Sequence, residues 1–246
     1  MDRAEFERNY QIESTYWWNI GRFHIVDSFT RRYIRPKPGD RMLDLGAGTG
    51  ATTRWLQKFG EVLAVDDSPL ALSYCRKRGL KVTRSNMERL KFRASSIDAA
   101  FALDILEHVK DDRKALREIH RILKPGGKVL ITVPAYQWLF SEHDEVCHHQ
   151  RRYTLGELAM KVGEAGLRTV RKSYCITFLL FPLVLLLHFR NLFKSDRKIM
   201  ASVVPLPPWL NQLLVWMLDL ENLILRFGNL PFGVSVILLA EKPPQK

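Results

Sequence analysis

The sequence predicts an α/β fold: a doubly wound, mostly parallel seven-stranded sheet with N-terminal helices and an apolar helical insertion between strands six and seven. Two observations predict it. Short apolar runs alternate with segments of helical periodicity, the pattern of βαβ units. Four of the runs also end in polar residues, where open parallel sheets bind ligands. The first, Met42-Leu43-Asp44-Leu45, feeds Gly46-Ala47-Gly48-Thr49-Gly50. Glycines let the backbone approach a ligand and turn sharply into the helix that begins near Ala51. The helix start adds N–H groups that favour an anionic or strongly polar group. The second run, Glu61 to Val65, ends at Asp66 and Asp67. Asp66 lies about 20 residues past the loop, where a carboxylate accepts both ribose hydroxyls. The third, Lys81 to Arg84, ends at Ser85-Asn86-Met87-Glu88, and the fourth, Ile97 to Ala102, ends at Leu103-Asp104. A nucleotide-like cofactor is expected here. Gly46-x-Gly48-x-x-Ala51 also fits the dinucleotide fingerprint, so the loop alone does not select the cofactor.

The remaining elements follow in order. Residues 3–34 read as helices, with Ser14 a candidate cap of the second and Trp17, Trp18, Phe23, Ile25 and Val26 as apolar bulk. Pro36-Lys37-Pro38-Gly39 breaks the chain before strand one. Ser68-Pro69 opens a helix that ends at Gly79. Asp111-Asp112 opens another, with Ala115, Leu116, Ile119, Ile122 and Leu123 as its stripe. Pro125-Gly126-Gly127 ends it, and Lys128 to Val133 is strand five. Thr154 caps a helix to about Ala165, with Glu157 at the capping-box position. Thr169 to Thr177 reads as strand six and Phe232 to Ala240 as strand seven. The expected units are an N-terminal helical lid (1–38), a cofactor-binding core (39–177), the apolar insertion (178–230), and the last strand with its tail (231–246).

The net charge of +12 and pI of about 9.8 favour anionic partners: nucleic acid, an anionic membrane face or a phosphorylated substrate. The three cysteines, Cys75, Cys147 and Cys175, fit neither a disulfide framework nor zinc spacing, so a reducing compartment is expected. Met1 to Phe6 lacks the pattern of a signal peptide, which points to the cytoplasm. From Ser173 to Phe189 no residue carries a formal charge. This stretch is shorter than the roughly 20 residues of a membrane span and contains Pro182. Arg168, Arg171 and Lys172 precede it, and Arg190, Lys194, Arg197 and Lys198 follow. A second helix follows Pro207-Pro208. Its Leu210, Leu213, Leu214, Met217, Leu218, Leu220 and Ile224 lie largely on one side, with Asn211, Asp219 and Asn222 elsewhere. Two readings stay open. Both helices pack as core, or their apolar faces rest on the anionic inner face of a membrane as a peripheral contact. The two segments are expected side by side, away from the glycine loop.

With these residues in view, the chain resembles the class I S-adenosylmethionine (SAM)-dependent methyltransferases, Rossmann-like proteins, and most of all their small-molecule branch, type 11. Leu43 to Gly50 matches the family's first motif, Asp66 its ribose-binding acid, and Asn86-Met87 the adenine position. Leu103-Asp104-Ile105-Leu106-Glu107-His108-Val109 matches the stretch after strand four, and Leu123-Lys124-Pro125-Gly126-Gly127 the turn before strand five. The resemblance implies SAM as cofactor. It would be bound by Asp44, Gly46, Gly48, Gly50, Asp66, Asp67, Asn86, Met87 and Leu103. Tyr16-Trp17-Trp18 with Arg22 resembles the branch's N-terminal element, a lid that would place Arg22 near the cofactor carboxylate; aromatic packing of the helix on the sheet is the alternative. Strands six and seven would form the family's hairpin.

The loop from Ser141 to Tyr153 resembles the family's His-x-Arg-Arg-Tyr element, here His149, Arg151, Arg152 and Tyr153. His149 is a candidate general base and Arg152 a candidate binder of an acceptor anion. Both also fit a structural role, bonding Asp144 and nearby carbonyls. His143, Asp144, His148 and His149 are metal-ligating types at a spacing that matches no strong motif, so no metal is expected. The implied function is methyl transfer to a small or lipid-linked acceptor, such as a quinone precursor, a glycan or an isoprenoid. An RNA methyltransferase suits the charge, but no RNA-binding module or Asn-Pro-Pro-Tyr signature is present, so nucleic acid is not the expected partner. A non-catalytic partner subunit of the same fold would not need the intact glycine loop. The sequence leaves the oligomeric state open.

Overall fold

The computed structural model describes residues 3–185 and 206–244. The apolar runs form one seven-stranded sheet: β1 (Met42–Leu45), β2 (Val62–Asp66), β3 (Val82–Arg84), β4 (Ile97–Leu103), β5 (Leu123–Pro134), β6 (Arg168–Cys175) and β7 (Ser235–Glu241). Their order is β3-β2-β1-β4-β5-β7-β6. The first five are parallel, and β7 runs antiparallel to both β5 and β6. The doubly wound sheet and the β6–β7 hairpin are as the sequence predicts. All four residues of β1 are buried, because helices cover both faces of the sheet.

The helices are α1 (Arg3–Ile12), α2 (Trp17–Phe29), α3 (Ala51–Leu56), α4 (Pro69–Lys77), α5 (Asp112–Ile122), α6 (Glu142–Val146), α7 (Leu155–Glu164) and α8 (Pro208–Phe227). Strand residues alternate between two cores, as the pleat requires. On one face Leu43, Leu45, Val129 and Ile131 join Leu116 and Ile119 of α5 and Leu158 of α7. On the other, Met42, Phe101, Leu130 and Ile237 join Ile25 and Phe29 of α2 and Leu218 of α8. Each such buried side chain contributes about 1.5–3 kcal/mol.

Local signals set most helix starts. Ser68 Oγ accepts from Ala71 N, Asp111 from Lys114 N, and Thr154 from Glu157 N. Each cap is worth about 0.5–2 kcal/mol. Ser14 is the exception. The residue before α2 is Tyr16, which makes no side-chain cap. The Trp17 N–H instead donates to Asn211 Oδ1 of α8 at 2.9 Å. Strand five also starts earlier than expected, at Leu123, which pairs with Ile97. The Pro125-Gly126-Gly127 segment continues the ladder, since Gly126 N donates to Lys242 O at 2.8 Å and Lys242 N to Gly127 O at 2.9 Å. β6 stops two residues short of Thr177, because the Ile176 and Thr177 N–H groups turn to Glu221 of α8.

The insertion begins with a 3₁₀ turn, Thr177–Leu179, and a helix over residues 180–185. The cations Arg190, Lys194, Arg197 and Lys198 lie outside the described residues. Among the described residues, no helix is long and apolar enough to cross a membrane. The expected facing of α8 is corrected. Its inner face holds Val215, Leu218 and Leu225, but also Glu221 and Asn222. Trp209, Leu213, Trp216, Leu220 and Phe227 are exposed. The reason is the partner, α2. Gly21 lets Leu218 come so close that a Cβ there would lie 2.1 Å from Leu218 Cδ1. His24 Nδ1 meets Asp219 Oδ1 at 2.6 Å, and Asn222 Nδ2 donates to His24 O at 3.2 Å.

Candidate functional site

The glycine loop leaves β1 and turns over the end of β2. Gly46 N and Ala47 N donate to Val65 O at 2.8 and 3.0 Å. Gly46 has φ +77°, and a Cβ there would fall 2.4 Å from Ile105 Cγ1, so only glycine fits. Gly50, at φ +86°, starts α3. At Gly48 a Cβ would meet nothing within 4 Å among the described residues, which leaves the middle of the loop open to a ligand.

Two carboxylates stand beside that opening. Asp66 Oδ2 accepts from Gly48 N at 3.0 Å and Oδ1 from Ser68 N at 2.9 Å, which fixes the carboxylate against the loop. Burial raises its pKa, and the two N–H bonds offset only part of this. Asp44 is 2% exposed and accepts from Thr53 Oγ1 at 2.6 Å. Burial, with Asp66 nearby, pushes its pKa up to about 6. Asp67 is exposed, and Asn86 Nδ2 donates to it at 3.3 Å while Asn86 Oδ1 accepts from Glu88 N at 2.8 Å. Met87 is buried in the core, and Leu103 ends β4 opposite Thr132.

Sequence reasoning missed a clasp over the loop. Glu13, just after α1, accepts from Thr49 Oγ1 and Arg78. Arg78 also donates to Thr49 O at 2.9 Å and Tyr10 O at 3.1 Å. A lone acid after a helix carries no periodic signal that would have revealed it.

The far side of the site is built from the ends of β4 and β5. Asp104 has φ +53° and accepts from Thr132 Oγ1 at 2.9 Å. Arg22 of α2 pairs with Asp104, which brings the N-terminal helix to the strand end beside Leu103. A 3₁₀ turn, Leu106–His108, follows. Glu107 is fully buried, and neither carboxyl oxygen has a hydrogen-bond partner among the described residues. Burial and Asp104 raise its pKa well above the usual range. Burial and the neighbouring His149 lower His108 to about 4. The two imidazoles meet edge to face, 4.7 Å between centroids.

Asp144 organises the loop after β5. It is 0% exposed and accepts from His149 Nδ1 at 2.7 Å, Arg152 Nε at 2.8 Å, Arg152 Nη2 at 2.9 Å and Ser141 N at 2.9 Å. Burial opposes its ionisation, but the bonds from His149 and Arg152 outweigh that and hold it well below the ordinary carboxylate range. Arg152 also donates to Ala135 O at 3.3 Å. The guanidinium thus holds the loop, the structural alternative read from the sequence. Tyr153 OH donates to Asp112 Oδ2 at 2.9 Å, tying the loop's end to α5.

The arrangement fits SAM better than a dinucleotide. One buried and one half-buried acid at a glycine loop favour a cation, whereas a pyrophosphate would face both carboxylates. A cavity of about 630 Å³ lies elsewhere, at the C-terminal end of α3, lined by residues such as His24, Arg31, Lys58 and Arg226.

Residues 43–131 match the family model described as a methyltransferase domain, type 11. The chain is 32% identical over 121 residues to demethylmenaquinone methyltransferase of Corynebacterium kroppenstedtii, covering 46% of this chain and 53% of that one. It is 35% identical over 112 residues to phosphoethanolamine N-methyltransferase 2 of Caenorhabditis elegans, covering 42% and 26%. The chain thus spans about half the length, or less, of these curated relatives. Its fold resembles a structure of the Haloferax volcanii Trm112 methyltransferase activator with a methyltransferase: TM-score 0.64, 21% identity, 99% of this chain and 96% of that one. Haemonchus contortus phosphoethanolamine N-methyltransferase 2, solved with SAM, gives a TM-score of 0.59 at 24% identity, covering 89% and 52%.

Proposed function

We infer the function from the family to which this chain belongs, the class I methyltransferases of type 11: it transfers a methyl group from SAM to a small or lipid-linked acceptor. The observation that carries this is the opening at Gly48, flanked by Asp66 and Asp44, two carboxyls that burial raises in pKa. Such a site gains from a cation next to a ribose. Bound there, SAM supplies a methyl group activated by its sulfonium charge.

The protein's part is alignment and exclusion of water. Asp66 accepts the ribose hydroxyls, and Asp44 faces the cationic end through the loop. Asn86 and Met87 hold the adenine, and Asp67 supports Asn86. Arg22 closes the strand end from α2. The Glu13–Thr49–Arg78 clasp covers the loop, and residues 141–153 wall the acceptor side.

The likeness to demethylmenaquinone methyltransferase supports an acceptor of the lipid-quinone kind. The exposed Trp209, Trp216, Leu220 and Phe227 of α8, beside Arg226, support access from the anionic inner face of a membrane. Calorimetry tests the cofactor. SAM and its demethylated product are expected to bind in the micromolar range, roughly −8 kcal/mol. Asp66→Ala is expected to cost about 1.5–3 kcal/mol through lost charge-assisted bonds. An unchanged affinity would remove the ribose assignment, and preference for NAD over SAM would remove the function.

A further inference from the structure

We propose that Glu107, His108 and His149 form a binding site for one divalent transition-metal ion of the zinc class, at the end of β4 beneath the loop that follows β5. The three side chains each offer one ligand atom, and these atoms lie within 4.8 Å of one another. A tetrahedral zinc with bonds of about 2.0–2.2 Å sets its ligand atoms roughly 3.4 Å apart. Side-chain rotation of about an ångström closes that difference.

Charge accounting gives an independent reason. Three charged groups act on Glu107, Asp104, Arg22 and Arg152, and both arginines are engaged elsewhere: Arg22 with Asp104, and Arg152 with Asp144. Glu107 has no countercharge of its own and no hydrogen bond to either oxygen among the described residues. A buried carboxyl in that state stays protonated, with its hydrogen-bonding capacity unused, until a partner arrives. A metal ion is such a partner.

The outer contacts match what a metal needs. Asp144 takes His149 Nδ1 at 2.7 Å, which leaves Nε2 as the free ring nitrogen. A carboxylate that orients a ligating imidazole in this way is the usual support of a zinc site. Asp144 is itself locked by Arg152 and Ser141. The His108 ring stands edge to face against His149, 4.7 Å between centroids, so the two imidazoles are side by side. Two imidazoles and one carboxylate are a borderline donor set. It selects zinc, cobalt or ferrous iron over magnesium and calcium, which prefer oxygen alone. Three protein ligands leave a coordination position open, suited to an oxygen of a bound molecule. The spacing of Glu107-His108 and His149 hid the cluster from the sequence, because the fold alone brings the two segments together.

The test is metal binding, read without methyl transfer. Chelator-stripped full-length protein is titrated with zinc chloride by calorimetry and with cobalt(II) by visible absorption. The expected result is one equivalent of zinc bound, a tetrahedral cobalt spectrum, and a rise in melting temperature with zinc. His149→Gln and Glu107→Gln are each expected to weaken zinc at least ten-fold, while Cys147→Ser and Asp66→Ala leave it unchanged. Melting curves without metal show whether each variant is folded. If Glu107→Gln fails to fold, His149→Gln and His108→Gln carry the test. No zinc binding by the stripped wild type, or binding that survives the histidine substitutions, overturns the proposal. Because Asp66→Ala tests the cofactor separately, failure here leaves the methyltransferase reading standing.

Discussion

Asp44→Asn probes the electrostatics of the glycine loop. Asp44 is 2% exposed, and burial with the nearby Asp66 charge raises its pKa from 3.8 to about 6. The folded value lies above the unfolded one. Its contribution to stability is therefore full below about pH 4 and is lost as pH rises through 6. A difference of about two pKa units is worth about 3 kcal/mol, and roughly 2 kcal/mol of it falls between pH 4 and pH 8. Asparagine does not titrate and still offers an oxygen to Thr53 Oγ1. The variant's stability relative to wild type should thus rise by roughly 2 kcal/mol from pH 4 to pH 8. Urea unfolding of both proteins at matched pH, without cofactor, measures this. A companion measurement ties it to function: wild-type affinity for SAM should fall below pH 6, where Asp44 takes up a proton. The variant should bind more weakly at pH 8 and show a smaller fall. A stability difference flat across pH would refute the reasoning.

Asp144→Ala removes one fully buried acceptor from His149, Arg152 and Ser141 together. It should cost about 3–5 kcal/mol in denaturant unfolding; a loss below about 1 kcal/mol would show that the loop holds without it. Because the folded pKa of Asp144 is depressed, wild type should lose stability as pH falls below about 4, and the variant should lose less. His149→Ala should lower turnover about 10²-fold while SAM affinity stays intact, measured by steady-state kinetics beside calorimetry. Liposomes with anionic lipid should float the protein, with salt weakening but not abolishing the contact. Trp216→Glu with Phe227→Glu should reduce flotation at least ten-fold, and no flotation of wild type would dismiss the membrane contact.

The strand ends were legible because steric necessity writes them into residue type. Gly46 and Gly50 occupy φ values that other residues rarely adopt, and Asp66 must close β2. The caps at Ser68, Asp111 and Thr154 were legible because they act within three residues. What escaped was set by distant partners. The start of α2 takes its acceptor from Asn211, across the fold. The inner face of α8 was misread because apolar counting assumes an apolar partner, whereas α2 offers His24 and main-chain oxygen to Asp219 and Asn222. Glu107 stood in the sequence only as one residue of the stretch after β4. The 141–153 loop meets that turn where Gln150 N donates to Glu107 O at 2.7 Å, and there the Glu107 carboxyl is buried with no hydrogen-bond partner among the described residues.

The placing of β7 between β5 and β6 has a consequence for how the protein is made. The sheet cannot be completed in the order in which it is synthesised. When β6 leaves the ribosome, the strand it pairs with among the described residues, 235–241, has yet to be translated. Until then the edge of β5 is bare, and until residue 221 is made the Ile176 and Thr177 N–H groups also lack Glu221. The nascent chain therefore carries an open strand edge beside its most apolar segment for the time needed to translate more than fifty further residues. At about 5–20 residues per second, that is a matter of seconds. A chain released early, before residue 241, would lose an inner strand rather than a tail, and with it the lattice that holds β5 in place.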